Sequence, residues 1–295
     1  MNNAIKRKQQ LVAYGFILPF FVVFATMFIA PLAYSGYLSL FAHTLVGGAK
    51  FVAFGNYVRA FQDSAFIFGL GRTAMILLIQ VPIMLAFALF FALALDSGRA
   101  RGSRALRLLI FLPFAVPGVV AVLMWGYIYG QSFGLTGQIA RGLGLPPTNF
   151  LSDSVILFSI MNIITWAFVG YNMIILYAAL RSIPPELYEA AEIDGASQWR
   201  LAWSVKIPII RPAILLTIIF SIIGSFQIFN EPKLLVELSP TAIPQGFTPN
   251  FYAFNQAFVS QDVNYAAAIA FLLGFVIMIV SYVVQLSLQK KEVQA

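Results

Sequence analysis

Four carboxyl groups, Glu186, Glu189, Glu192 and Asp194, fall within nine residues of an otherwise apolar chain, in and just before the run Glu189-Ala190-Ala191-Glu192-Ile193-Asp194-Gly195-Ala196-Ser197-Gln198-Trp199. Each would cost about 2.5–3.5 kcal/mol at a bilayer centre, so this stretch belongs in water between two apolar spans. The chemistry open to it is docking rather than bond-making. Glu189 can accept charge-assisted hydrogen bonds from a basic partner, and Ala190 and Ala191 leave room for another protein's backbone to approach. The alternative is an amphipathic helix lying on the headgroups, but four carboxylates would then face an anionic leaflet. No phosphate-binding Gly-x-x-x-x-Gly-Lys-Ser/Thr occurs, nor any nucleophile elbow or paired aspartates inside the apolar segments. The chain has no cysteine and one histidine, His43, which alone cannot build a metal site.

The flanking residues predict how the stretch is held. Pro184-Pro185 starts a helix near Pro185, and Glu186 and Glu189 in its first turns complement the macrodipole. Gly195 ends that helix, as the residue best suited to a left-handed conformation. Ser197 caps a second short helix running through Lys206, and Pro208 and Pro212 block a simple continuation. The prediction is a bent pair of helices within a loop over 181–211.

Glu189-Ala190-Ala191, then Asp194-Gly195-Ala196, Trp199 and the spaced Pro208 and Pro212 resemble the EAA loop of the membrane subunits of binding-protein-dependent ABC importers. Phe51-Val52-Ala53-Phe54-Gly55-Asn56-Tyr57 is similar to a Phe-Val-Gly-Leu-x-Asn-Tyr run in sugar and glycerol-phosphate (maltose-type) permeases, with Ala53 at a usual glycine and Gly55 at a usual polar residue. Leu112-Pro113, Pro117 and Trp125 also fall at matching places. A Gly-Gly-Pro common late in such permeases is missing, which leaves substrate identity open. The resemblance implies an all-α integral membrane fold of the type I importer permease, in which Glu189, Ala190, Ala191, Asp194, Gly195, Ala196, Trp199 and Pro208 couple the chain to an ATPase. It implies no cofactor in this chain, with ATP and Mg2+ in the partner. The implied partners are a second homologous permease, two ATP-binding subunits, an extracytoplasmic solute-binding protein and membrane lipid, with no nucleic acid.

Composition agrees with a membrane location. Of 295 residues 60% are hydrophobic and 10% charged, and the mean hydropathy is +0.86, beyond what a soluble core carries. Apolar runs give six spans at about 11–38, 73–95, 108–129, 154–180, 212–230 and 263–288, in a single permease domain over 1–295. The net charge of +7 reflects orientation rather than nucleic acid. With the N-terminus inside, Lys50, Arg59, Arg72, Arg141 and Lys233 lie outside, and the other thirteen of the 18 basic residues lie inside. That places both termini and the Glu189 loop in the cytoplasm of a bacterial or archaeal multi-pass membrane protein.

Two spans carry polar groups. Ser159, Asn162, Trp166 and Gly170 share one face of the fourth, which also holds Tyr171 and Asn172; such a face lines a solute path or makes interhelical contacts. In the fifth, Thr217, Ser221 and Ser225 step by four and Gln227 follows, and these hydroxyls face a path or bond their own backbone. In importers of the resembled type the fourth and fifth spans supply much of the solute site, and Tyr171, Ser221 and Ser225 correspond. Asn162, Trp166, Tyr171, Asn172, Ser221, Ser225 and Gln227 are the candidate path residues, suited to a neutral, hydroxyl-rich sugar and free of fixed charge. A glycerol-phosphate-type solute, or a channel or assembly subunit using the acidic loop as a contact surface, are the alternatives. Pro113 and Pro117 kink the third span, around a cavity or merely in its packing.

Overall fold

The computed structural model describes residues 3–44, 48–98 and 102–293. It is helical apart from one short hairpin. Five helices are long and apolar enough to cross a membrane: Gln10–Ser39, Ser64–Asp96, Ile156–Arg181, Arg211–Leu235 and Val263–Ser287. A bent pair, Ser103–Ala115 and Gly118–Ile128, makes a sixth if counted as one span.

Three boundaries differ from the sequence reading, one of them the end of the fifth helix, which runs to Leu235 rather than stopping near residue 230. The second helix begins at Ser64 rather than near residue 73: Gly69 and Gly71 weaken a helix without stopping it, and the arginine stem can lie along apolar surface. The 108–129 stretch is not one straight span. Val116 is extended (φ −74°, ψ 128°), the conformation that Pro117 imposes on the residue before it, and the two halves diverge by 94°.

Prolines elsewhere are accommodated. Pro31, Pro82 and Pro208 each follow a π-turn by two residues: Ala25–Ile29, Ile76–Gln80 and Ala202–Lys206. The extra residue of a π-turn widens the helix just before the ring, which relieves its clash with the preceding turn. Pro208 therefore does not stop the second loop helix, which continues through Ile209 and breaks at Ile210 instead.

Contacts divide the chain into two units, 1–63 with 253–272, and 64–252 with 273–295. In the first, strands Phe41–Thr44 and Gly48–Phe51 pair antiparallel and lead into helix Gly55–Gln62. Asn56 explains the Asn-Tyr pattern: its amide donates to the carbonyls of Ser39 and Phe41, both at 2.8 Å, tying the helix to the end of the first span. Ala53 sits at φ +48°, the left-handed region where glycine is free of strain. Asn264 donates to the Leu38 carbonyl at 2.9 Å, and Arg59 bonds Asp262 at 2.7 Å while lying 3.8 Å over the Tyr265 ring.

In the second unit the helices Ser64–Asp96 and Ile156–Arg181 pack through Ala88, Ala92 and Leu95 against Met173, Leu176 and Leu180. Lipid tails are as apolar as these side chains, so close van der Waals fit rather than apolar burial holds such helices, and alanine permits it. Gly170 is the tightest point. A Cβ there would lie 2.0 Å from the Ile110 carbonyl oxygen, whereas a Cβ on Gly274 would meet nothing within 4 Å. Gly170→Ala should therefore destabilise by about 1–3 kcal/mol and lower the melting temperature in detergent, and Gly274→Ala should not. Equal melting curves for the two variants would contradict the packing described.

Candidate functional site

The acidic stretch folds as its residues dictate. Helix Pro185–Ile193 starts on its proline and carries Glu186 in the first turn. Gly195 takes φ +74°, and the Ala196 N–H donates back to the Ala191 carbonyl at 3.0 Å, which closes a Schellman turn. Ser197 then caps helix Gln198–Leu201, its hydroxyl oxygen accepting from the Arg200 N–H at 3.3 Å.

This arrangement presents one face. Glu189, Ala190, Asp194 and Gly195 are exposed, Ala191, Ala196 and Pro208 half-buried. Around them stand apolar side chains that the sequence reading passed over: Ile193 is 86% exposed, and Leu187 and Trp203 join Trp199 in the open. Exposed apolar groups rimming a carboxylate are what a partner's groove requires. Their signal in the sequence was Ile193 and Trp203 standing within a charged segment.

The inner side of the loop is anchored. Lys206 Nζ donates to Asp96 Oδ2 at 2.6 Å, with side chains only 6% and 1% exposed, and lies 4.8 Å from the Tyr188 ring centroid. The Tyr188 hydroxyl donates to the Leu180 carbonyl at 3.2 Å. Burial, and then the Asp96 charge, push the Tyr188 phenol up to about 12, against the opposing pull of Arg181.

A second feature is a cavity of about 460 Å³ among the spans. Tyr171, Asn172, Ser221, Ser225 and Gln227 line it, with Gln80, Phe114, Asn230 and Glu231. Tyr171 stacks on Phe114 with centroids 4.7 Å apart. Ser221 and Ser225 donate their protons to the Thr217 and Ser221 carbonyls at 2.7 and 2.8 Å, so towards the cavity they offer lone pairs. Asn172 donates to the Phe168 carbonyl at 3.0 Å, while its Oδ1 is buried without a partner. The wall thus presents hydroxyl lone pairs and side-chain amides beside an aromatic face.

Asn162 and Trp166 do not line this cavity. Asn162 donates to the Tyr129 hydroxyl at 2.7 Å, and Trp166 meets Trp125 edge-on at 5.8 Å. With Ser159 bonded to the Phe150 carbonyl and Gly170 against Ile110, that face of the fourth span makes helix contacts. Three polar lining groups were missed, Gln80, Asn230 and Glu231. Gln80 is an amide in an apolar run and could have been found on that ground. Glu231 lies beyond the expected end of the fifth span at residue 230, yet that helix runs on to Leu235 and puts Glu231 in the cavity wall, so a path expected to be free of fixed charge holds an acidic group. Among the described residues, no group of three or more His, Cys, Asp or Glu side chains could hold a metal ion.

Long apolar helices around a mostly apolar cavity with polar groups in its wall, two of them joined by an exposed acidic loop, are the architecture of a multi-pass membrane permease. Residues 84–292 match the family described as "Binding-protein-dependent transport system inner membrane component", and the chain belongs to that family. It is a transport subunit that works with a solute-binding protein and a separate ATPase. The lactose transport system permease protein of Rhizobium radiobacter is 31% identical over 290 residues, covering 95% of each chain. The arabinooligosaccharides transport system permease protein of Bacillus subtilis is 30% identical, covering 92% of this chain and 86% of the relative. A crystal structure of a bacterial alginate ABC transporter has a chain of the same fold, with TM-score 0.85 at 19% identity and 96% of each chain covered.

Gly195 generates a specific expectation. A β-branched residue is strained at φ +74°, so Gly195→Val should distort the turn between the two loop helices and lower ATPase retention on co-purification, with membrane insertion intact. Full retention and wild-type transport would show that the turn does not set the docking face.

Proposed function

We propose that the chain forms half of the translocation path of an importer for a neutral sugar or oligosaccharide. The observation that carries this is the cavity bounded by Tyr171, Asn172, Ser221, Ser225 and Gln227, whose wall combines acceptor oxygens with an aromatic face. Its volume lies within the range of about 300–1,000 Å³ typical of small-ligand sites. Sugar hydroxyls donate to such acceptors, and sugar faces stack on aromatic rings. The relatives named for lactose and arabinooligosaccharides support the same class. Glu231 in the wall weighs against a phosphorylated glycerol solute, which would want a basic group there.

Glu189 to Gly195, with Ala196, Trp199 and Pro208, is the seat for an ATPase subunit. The path is completed by a second, homologous permease, with two ATPase copies and an extracytoplasmic binding protein. The six spans form one permease domain, with both termini and the acidic loop in the cytoplasm, on the side where ATP is available. Closure of the ATPases then rocks the spans and exposes the cavity to one side or the other.

Isolation of the tagged chain from native membranes in mild detergent tests this reading. An ATPase, a second permease and a binding protein that takes up neutral di- or trisaccharides are expected. Glu189→Ala should insert normally but hold the ATPase about 10- to 100-fold more weakly, the equivalent of a charge-assisted bond of roughly 1.5–3 kcal/mol. A chain that purifies alone, or an ATPase held equally well by Glu189→Ala, would overturn it.

A further inference from the structure

The loop and the cavity share one helix. Asp96 ends Ser64–Asp96, and Gln80, Val81 and Met84 of that helix line the cavity. Lys206, 110 residues further on, reaches Asp96 from the second helix of the loop, and its cation also sits over Tyr188 of the first. One ammonium therefore ties both loop helices to the end of a helix that forms the cavity wall.

We propose that Lys206 and Asp96 are a positioning pair that transmits movement of the loop to the cavity. This rests on the importer reading above. Local energetics do not account for Asp96. A carboxylate at a helix C-terminus opposes the macrodipole, and Asp96 Oδ1 is buried with no partner, so the site is not fully satisfied. Apolar residues of similar volume generally stabilise such a position as well as a buried ion pair does. What the pair adds is a contact that water cannot replace. At the surface either charge would exchange its partner for solvent and the elements would slide, but with 6% and 1% exposure neither can. A push on the loop therefore moves the Ser64–Asp96 helix with it.

The chain has no cysteine, so one introduced at Ser221, on the cavity wall, is its only thiol. The measurement is the rate at which a membrane-impermeant thiol reagent labels Ser221→Cys in the co-purified complex, with and without a non-hydrolysable ATP analogue and Mg2+. With the pair intact, nucleotide should change the rate by about fivefold or more. Adding Asp96→Asn, or Asp96→Leu together with Lys206→Met, should remove that response while the ATPase stays bound. The double variant keeps apolar packing and decides the question if Asp96→Asn fails to assemble. A nucleotide response that persists in an assembled variant, or that the double variant retains, would overturn the proposal. No response with the pair intact would instead overturn the importer reading on which it rests.

Discussion

The stretch between Leu180 and Pro212 cannot enter hydrocarbon, and the rest of the structure depends on that. Four carboxyl groups in nine residues hold it in water, while the helices on either side are apolar enough to cross a bilayer. A segment anchored on both sides yet kept outside must fold against the ends of its own spans. It does so through Lys206 on Asp96 and Tyr188 on the Leu180 carbonyl, which leave Glu189, Ile193 and Trp199 facing outward. The division into an anchored inner side and an open outer face is what the proposed coupling role of the loop requires.

The cavity follows from helix packing rather than from any local sequence rule. Alanines 88 and 92 draw the Ser64–Asp96 and Ile156–Arg181 helices together, and Gly170 lets the latter meet the backbone at Ile110. The break at Val116 and Pro117 turns the next helix away by 94°, and Phe114, just before it, stacks on Tyr171 at the cavity wall. Space is left where close packing stops. Polar groups gather there because, away from lipid, they find either a helix carbonyl, as Ser221 and Ser225 do, or the cavity itself.

What was legible in the sequence was local. A proline start, a left-handed glycine and a serine cap predict the two loop helices, because each is decided within one turn of backbone. The apolar runs predict the spans for the same reason. The loop helix does not run straight into the next span, since it breaks at Ile210 between Pro208 and Pro212, but it passes Lys206 because a π-turn without residue signature accommodates Pro208. Glu231 could not be placed without knowing that the fifth helix runs on past residue 230 to Leu235. Of the seven candidate path residues five share one cavity, and Asn162 and Trp166 lie on a face of the same helix that meets Tyr129 and Trp125. Periodicity identifies a face but not what it meets. The Lys206–Asp96 pair, joined across 110 residues, had no local signal at all.

The central claim is that this chain conducts a solute only when a bound ATPase drives it. Its most direct test is uptake into proteoliposomes holding the co-purified complex, with its binding protein and a labelled neutral disaccharide which that protein retains. The account predicts accumulation against a gradient that requires both ATP and the binding protein. Equilibration of the sugar without ATP, at the same rate as with it, would mark the chain as a channel and contradict the account.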